Sequence, residues 1–383
     1  MFDDYKGFID IDKVLKDEYN YTFNGDLKEL YSMPFIEIEG EGVDALCWIK
    51  YKNDSYLFKS LKDFEYNVWG ELLSEEFAKR LNIPCASYRA AQFGNKKGVL
   101  SKQMLKSDET LILGSEIFQD FFNQKTRDGD LEKILKEKFD LYEIPKEIRN
   151  YDSFRQSNSV FKRLNNLEQV WDILATRKDI SEEELTTLVN SYTKMFLFDI
   201  FTLQADRHTN NWGVVKTETG KYKASPLFDN SASFGLGYPF MERRVANFKN
   251  EFMNARFSRD YQGIDNAIYK ASPSFTLSSD NIKADKKDTS IEIFRDFIRK
   301  TGSSSLMYVR PLFSTINSEN LEKIIKEVSL RNGLEMNDNL ESYIYNVFDY
   351  HHNKLATIMD KEYQGGSSKN DTEKSARRIW WSN

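Results

Sequence analysis

The sequence predicts an α+β chain of two lobes: a small, mainly β lobe over residues 1–105, a larger, mainly α lobe over 106–363, and a flexible tail over 364–383. Three observations predict it. Between Phe35 and Lys59, short apolar segments alternate with turn residues. From Gly114 onward, apolar residues recur at helical spacing. The length of 383 residues, 40% hydrophobic and 14% aromatic, exceeds the usual size of one domain and can bury a substantial core.

In the first lobe, Phe35 to Ile38, Leu46 to Lys50 and Tyr56 to Lys59 read as strands, with Gly40-Glu41-Gly42 and Lys52-Asn53-Asp54 as the turns between them. A helix follows, with Trp69, Leu72, Leu73, Phe77 and Leu81 on one face and Asn82-Ile83-Pro84 ending it. On a helical wheel Glu71 falls nearly opposite Leu73, so it is either solvated or turned toward a cleft. After Gly94-Asn95, the apolar Gly98-Val99-Leu100 predicts another strand leading into Ser101 to Leu105.

The second lobe reads as helices over Gly114 to Phe122, Leu131 to Phe139, Val160 to Leu174 and Glu182 to Leu203, then Ile291 to Lys300, Asn320 to Asn332 and Leu340 to Tyr363. Gly333 supplies the stop after Asn332. His351 and His352 lie on the last long helix, where a surface or packing role is expected of them. In the helix from Glu182, residues Leu188, Val189, Tyr192, Met195, Phe196 and Ile200 recur at helical spacing, and the last two turns are apolar almost all round. That reads as a buried helix, its apolar run broken by Asp199.

The helix runs out at Gln204 into Asp206, Arg207, His208, Thr209, Asn210 and Asn211, a costly polar set to bring against a core without a purpose. Trp212, Val214 and Val215 then begin a strand, Glu218-Thr219-Gly220 turns it, and Tyr222 to Ser225 returns. The hairpin is expected to bring Asp229 close to Asn211 although 18 positions separate them, with Pro226 stopping the strand and aiming Leu227-Phe228-Asp229 out of the sheet.

An aspartate, an amide five residues on and a second aspartate beyond a hairpin suit phosphoryl transfer from a magnesium nucleotide. Magnesium takes hard oxygen ligands, and Asn211 with Asp229 supplies the protein share, leaving Asp206 to orient or deprotonate an attacking hydroxyl. The plain alternative is that Asp206 and Asn211 only turn a loop and Asp229 only begins a helix. Lys59, at the end of its strand, is either a solvated lysine or one placed under a glycine turn to reach nucleotide phosphates. Gly40 and Gly42 allow backbone N–H groups to approach phosphate, provided that Glu39, Glu41 and Asp44 point away.

At Asp206-Arg207-His208-x-x-Asn211, and again at Pro226-Leu227-Phe228-Asp229-Asn230-x-x-Ser233-Phe234, the chain resembles the HipA-like serine/threonine kinases. Phosphatidylinositol kinases and their protein-kinase relatives share the first pattern; the second favours HipA. The resemblance covers Lys59 to about Tyr363 and implies a two-lobed, protein-kinase-like fold with ATP and magnesium. It makes Asp206 the catalytic base, Asn211 and Asp229 the magnesium ligands, and Lys59 the phosphate-binding lysine. It also has Arg207 and His208 hold the loop, and pairs Glu71 with Lys59 in rivalry with Glu65 and Glu75. Gln103 and Met104 fall in the hinge that meets adenine. No Ser or Thr occurs between Ser32 and Ser55, so the inhibitory phosphoserine that some relatives carry near the glycine turn has no counterpart there. The weakly periodic stretch from Asn230 to Ser290 is where an activation or substrate-binding segment is expected, with Arg243, Arg244 and Arg256 either on a phosphate or at an ordinary surface.

A formal net charge of −6 argues against direct nucleic-acid binding, although family members often act beside a small DNA-binding antitoxin. No apolar run reaches membrane-spanning length, Met1 to Lys6 lack a signal-peptide layout, and Cys47 and Cys85 read as buried thiols, so a cytoplasmic location is expected. Only about thirty residues precede the first expected strand, which suggests a compact form with other functions on another polypeptide. The terminal Arg377-Arg378-Ile379-Trp380-Trp381 either docks on a protein or membrane surface or folds back on the chain. The function expected is a toxin-type protein kinase, translation components being one target class in the family. A lipid or small-molecule kinase and an inactive kinase-fold binding protein stand as rivals.

Overall fold

The computed structural model describes residues 6–19, 36–39, 46–51, 53–130, 133, 165–236, 273–278, 282–283, 286–287 and 289–365. The chain divides into two compact units. The first comprises Met1–Ser107, Pro226–Asp265 and Thr315–Asp349; the second comprises Asp108–Ser225, Asn266–Ser314 and Tyr350–Asn383.

The first unit is built on strands β1 (Ile9–Asp10), β2 (Ile36–Glu39), β3 (Leu46–Tyr51), β4 (Asp54–Ser60), β5 (Tyr88–Phe93) and β6 (Lys96–Lys102). They form one sheet in the order β1-β5-β6-β4-β3-β2, antiparallel except for the β1–β5 pair. Strand alternation sends Tyr56 and Phe58 to one face, where they join Ile9, Ile11, Val14, Leu15, Ile49, Phe93 and Leu100 in a core under helix α1 (Ile11–Tyr19). Lys59 therefore takes the other face. Its neighbour in the ladder is Val99, and the next position, Gly98, has no room for a Cβ against the Lys59 carbonyl.

Helix α2 (Phe64–Arg80) buries residues nearly all round, Glu71 and Glu75 among them, and ends where Asn82 turns at φ 53° ahead of Pro84. The sheet begins earlier than the sequence suggests: β1 is too short to carry a period, although α1 shows an Ile11, Val14, Leu15 spacing that periodicity alone supports.

The second unit contains the three-stranded sheet β7 (Glu109–Leu113), β8 (Gly213–Thr217) and β9 (Tyr222–Ala224), the last two being the expected hairpin. Around it lie α3 (Gly114–Arg127), α4 (Leu167–Ala175), α5 (Glu182–Phe201), α6 (Ser290–Thr301) and α7 (Leu306–Thr315). Helix α4 is capped by Asn166, while α5 and α6 start with capping boxes, Ser181 with Glu184 and Thr289 with Glu292. Helix α7, with Pro311 inside it, is not among the helices expected from the sequence.

In the first unit, α8 (Ser318–Asn332) runs from its Asn317 cap to Gly333 at φ 60°. The last helix, α9 (Asp338–Gly365), belongs to the first unit up to Asp349 and to the second from Tyr350. The expected helix over Leu131 to Phe139 apart from Lys133, the start of that over Val160 to Leu174, the segment holding Arg243, Arg244 and Arg256, and the tail beyond Gly365 lie outside the described residues. Among the described residues no helix is long and apolar enough to cross a membrane.

Candidate functional site

Two polar clusters contain the residues singled out by the sequence, one in each unit. In the first unit the Lys59 ammonium pairs with the Asp229 carboxylate and lies 3.9 Å from Glu71 Oε1. Glu71 is fully buried, and its Oε2 accepts the Asn230 N–H at 2.7 Å. Its two rivals are engaged elsewhere. Glu65 is exposed and faces Lys97 at 3.5 Å, whereas Glu75 accepts from Ser87 Oγ (2.9 Å) and from the Tyr88 N–H (3.0 Å) and faces Arg331. Burial pushes the Glu75 carboxyl up, with Arg331 pulling it back.

Asp229 occupies a left-handed backbone conformation, φ 55°, unusual for a residue with a Cβ. The chain is led there by pairing with the segment before β5: Leu227 N–H donates to the Pro84 carbonyl and Ala86 N–H to the Leu227 carbonyl, both at 2.8 Å. The Asp229 N–H then donates to the Tyr88 hydroxyl at 3.0 Å. Burial, reinforced by the Glu71 charge, pushes the Tyr88 phenol well above its ordinary range. Gly70 of α2 meets this turn with no room for a Cβ beside the Ser231 and Asn230 carbonyls. Phe234, also at positive φ, packs its ring 5.9 Å from Phe77 and 6.1 Å from Phe348.

In the second unit the loop after α5 carries Asp206, His208 and Asn211. Leu203, at φ 56°, turns the chain out of the helix. Asp206 and His208 are exposed, 3.9 Å apart at carboxylate and ring nitrogen, while Asn211 is buried and donates from Nδ2 to the Asp206 carbonyl at 2.8 Å. The loop hangs on Arg207. Its guanidinium donates twice to Asp199 of α5, 3.0 Å each, and once to the Asn211 carbonyl at 3.1 Å; both members of the ion pair are fully buried. Burial pushes the Asp199 carboxyl up against the opposing pull of that guanidinium.

Asn165, also buried, donates to the Arg207 carbonyl (2.7 Å) and the Ser274 carbonyl (2.9 Å) and accepts from the Trp212 indole (2.8 Å). Behind the loop, His351 donates from Nε2 to the Ile200 carbonyl at 2.9 Å, and burial lowers its pKa to about 4, keeping the ring neutral.

Lys59, Glu71, Gln103, Met104 and Asp229 thus belong to the first unit, and Asp206, His208 and Asn211 to the second. Gln103 is exposed just beyond β6, its N–H on the Ser55 carbonyl at 2.9 Å, and Met104 is half-buried. Gly40 and Gly42 lie outside the described residues. Cys47 is a buried thiol with its pKa pushed up to about 12, and Cys85 is a half-buried thiol whose Sγ accepts from Asn230 Nδ2 at 3.7 Å. The sequence reading missed Tyr88, Asn165 and the role of Asp199. Only Asp199 left a signal, a carboxylate inside an apolar helical run, which was read as an interruption rather than as the counter-charge of Arg207.

No protein-family model matches the chain, and no curated protein does. Among solved structures, it is similar to a Helicobacter pylori proinflammatory kinase, CtkA, with a TM-score of 0.58 at 15% identity over 88% of this chain and 98% of that one. It also aligns with a Shewanella oneidensis HipA, solved in a toxin–antitoxin complex with HipB and operator DNA. There the TM-score is 0.45 at 12% identity, over 85% of this chain and 65% of that chain. The first likeness shows the fold, and this chain has a protein-kinase-like α+β fold.

Proposed function

We propose that the chain is a HipA-like serine/threonine protein kinase that moves the γ-phosphoryl group of ATP to a protein hydroxyl. The observation that carries this reading is the placement of Lys59 between Glu71 and Asp229. A strand lysine held by a buried helix glutamate and by an aspartate on a fixed turn is the phosphate-binding arrangement of kinases, and the kinase-like fold supports it.

Magnesium suits this reading. Lys59 brings one positive charge against the Glu71 and Asp229 carboxylates, an imbalance that a cation beside Asp229 offsets; Asp229 offers the hard oxygens that magnesium takes together with phosphate and water, and Asn211 is assigned as its second ligand. Bound there, the ion would neutralise phosphate charge during transfer. In this reading Lys59 holds the α- and β-phosphates, Glu71 keeps its ammonium aimed, and Gly40 and Gly42 supply backbone donors. Gln103 and Met104 line the adenine side. Asp206, exposed on a loop fixed from behind by Arg207, orients the acceptor hydroxyl and takes its proton, while His208 shapes the loop. Residues 1–105 act as the nucleotide lobe and 106–363 as the catalytic lobe. The chain works in the cytoplasm as a toxin-type growth regulator on a protein substrate such as a translation component, beside a small DNA-binding antitoxin.

The test is transfer of label from γ-labelled ATP with magnesium into lysate proteins, comparing wild type with Asp206→Asn and Asp229→Ala. Discrete protein bands with the wild type alone support the reading. Label confined to lipid or small molecules, or equal transfer by all three proteins, overturns it.

A further inference from the structure

The geometry points to Tyr88 as a positioning residue, whose buried hydroxyl holds the main chain of Asp229 in the left-handed conformation that sets its carboxylate beside Lys59. The inference rests on the function proposed above and adds a residue that neither catalytic motif contains. A left-handed aspartate persists only where its surroundings outweigh the intrinsic preference for right-handed backbone. Two consecutive N–H groups are held here by two different elements: Asp229 donates to Tyr88 Oη at 3.0 Å, and Asn230 donates to Glu71 Oε2 at 2.7 Å.

The Glu71 bond comes from a group that also faces Lys59, so it follows the state of that ion pair. The phenol bonds one residue earlier, at the Asp229 N–H, from a different element. Tyr88 opens β5, its own N–H is tied to Glu75 at 3.0 Å, and Leu227 is paired to the residues just before it. Strand β5 thus measures out the position of Asp229 together with α2, whose Gly70 closes on the Asn230 and Ser231 carbonyls. Tyr88 is buried at 5% exposure, so removal of its hydroxyl alone leaves the ring to fill the same space.

The test is Tyr88→Phe, beside Tyr308→Phe, which deletes a hydroxyl bonded to Asn190 in the other unit. Two readouts are used: Mn²⁺ binding in the presence of ADP, followed by electron paramagnetic resonance, and amide exchange over residues 228–231. Loss of one neutral hydrogen bond is expected to weaken Mn²⁺ by roughly five- to tenfold in Tyr88→Phe, with faster exchange confined to 228–231 and β5 unchanged. Tyr308→Phe is expected to bind Mn²⁺ as wild type does. Mn²⁺ affinity within about twofold of wild type together with unchanged exchange overturns the inference. If the wild type binds no Mn²⁺ with ADP, the kinase reading itself has failed. Exchange at 228–231 then decides the role of Tyr88 alone: faster exchange supports it as holder of the turn, and unchanged exchange removes it.

Discussion

In the first unit the charged side chains hold one another, Lys59 on Asp229 and beside Glu71, with a quarter of the lysine side chain exposed. In the second unit the exposed Asp206 and His208 bond within their own loop, the Asp206 carbonyl accepting from Asn211 Nδ2 and His208 Nδ1 from the Asn210 N–H. The fully buried Asp199–Arg207 pair and Asn165 tie that loop to the unit from behind, through main-chain carbonyls. The difference teaches where function and stability separate. A change at Lys59 removes a partly hydrated charge and leaves the buried Glu71 its bond from the Asn230 N–H, whereas a change at Asp199 strands a fully buried guanidinium and reaches the loop by loosening the unit.

The largest expected effect on stability is that of Asp199→Ala, about 3–5 kcal/mol measured by urea unfolding, because Arg207 is left charged and unpaired. The double variant Asp199→Leu with Arg207→Met should recover most of it while still impairing phosphoryl transfer. If the single variant costs less than about 1 kcal/mol, water has replaced the carboxylate and the contrast between the units collapses.

Next is a pH effect at His351, whose folded pKa of about 4 lies below the ordinary 6.5. A histidine depressed in the folded state stabilises fully above pH 6.5 and loses that contribution as pH falls toward 4, about 3 kcal/mol in all. Unfolding curves across that window should be steeper in pH for the wild type than for His351→Gln, and equal slopes would show that the ring is hydrated.

Gly70→Ala should cost about 1–3 kcal/mol, since its Cβ meets main-chain oxygens that cannot swing aside. It should also lower transfer by displacing the Asp229 turn. The smallest stability change is expected for Lys59→Met, about 1–2 kcal/mol by thermal melting, because the buried Glu71 loses its cation but keeps the Asn230 N–H, although the same variant should abolish labelling of protein. A large destabilisation there would place the lysine among the structural pairs and remove the distinction between the two clusters.

Much of this was legible along the chain. The hairpin over 213–224, helix α2 and the buried helix α5 followed from alternation, turn residues and helical spacing, which are local. The choice among Glu65, Glu71 and Glu75 was less so. All three lie on one helix, and a wheel gives their angles but not what stands opposite; Glu71 and Glu75 are both buried, so exposure sets only Glu65 apart. Helix α7 was not expected, and a two-residue strand gave no sign of β1.

By itself, the sequence determined the kinds of elements and the candidate chemistry of Lys59, Asp206, Asn211 and Asp229, because residue type and short-range spacing carry that information. Only the tertiary structure decided that β1 pairs in parallel with β5, that segments 226–265 and 315–349 belong with the first unit, that Arg207 answers Asp199, and that Tyr88 meets the Asp229 N–H. Those pairings join residues from 8 positions apart, as Arg207 and Asp199 are, to 141 apart, as Tyr88 and Asp229 are. Each depends on which surfaces pack together and which buried polar groups must find a partner, and neither condition leaves a period in the sequence.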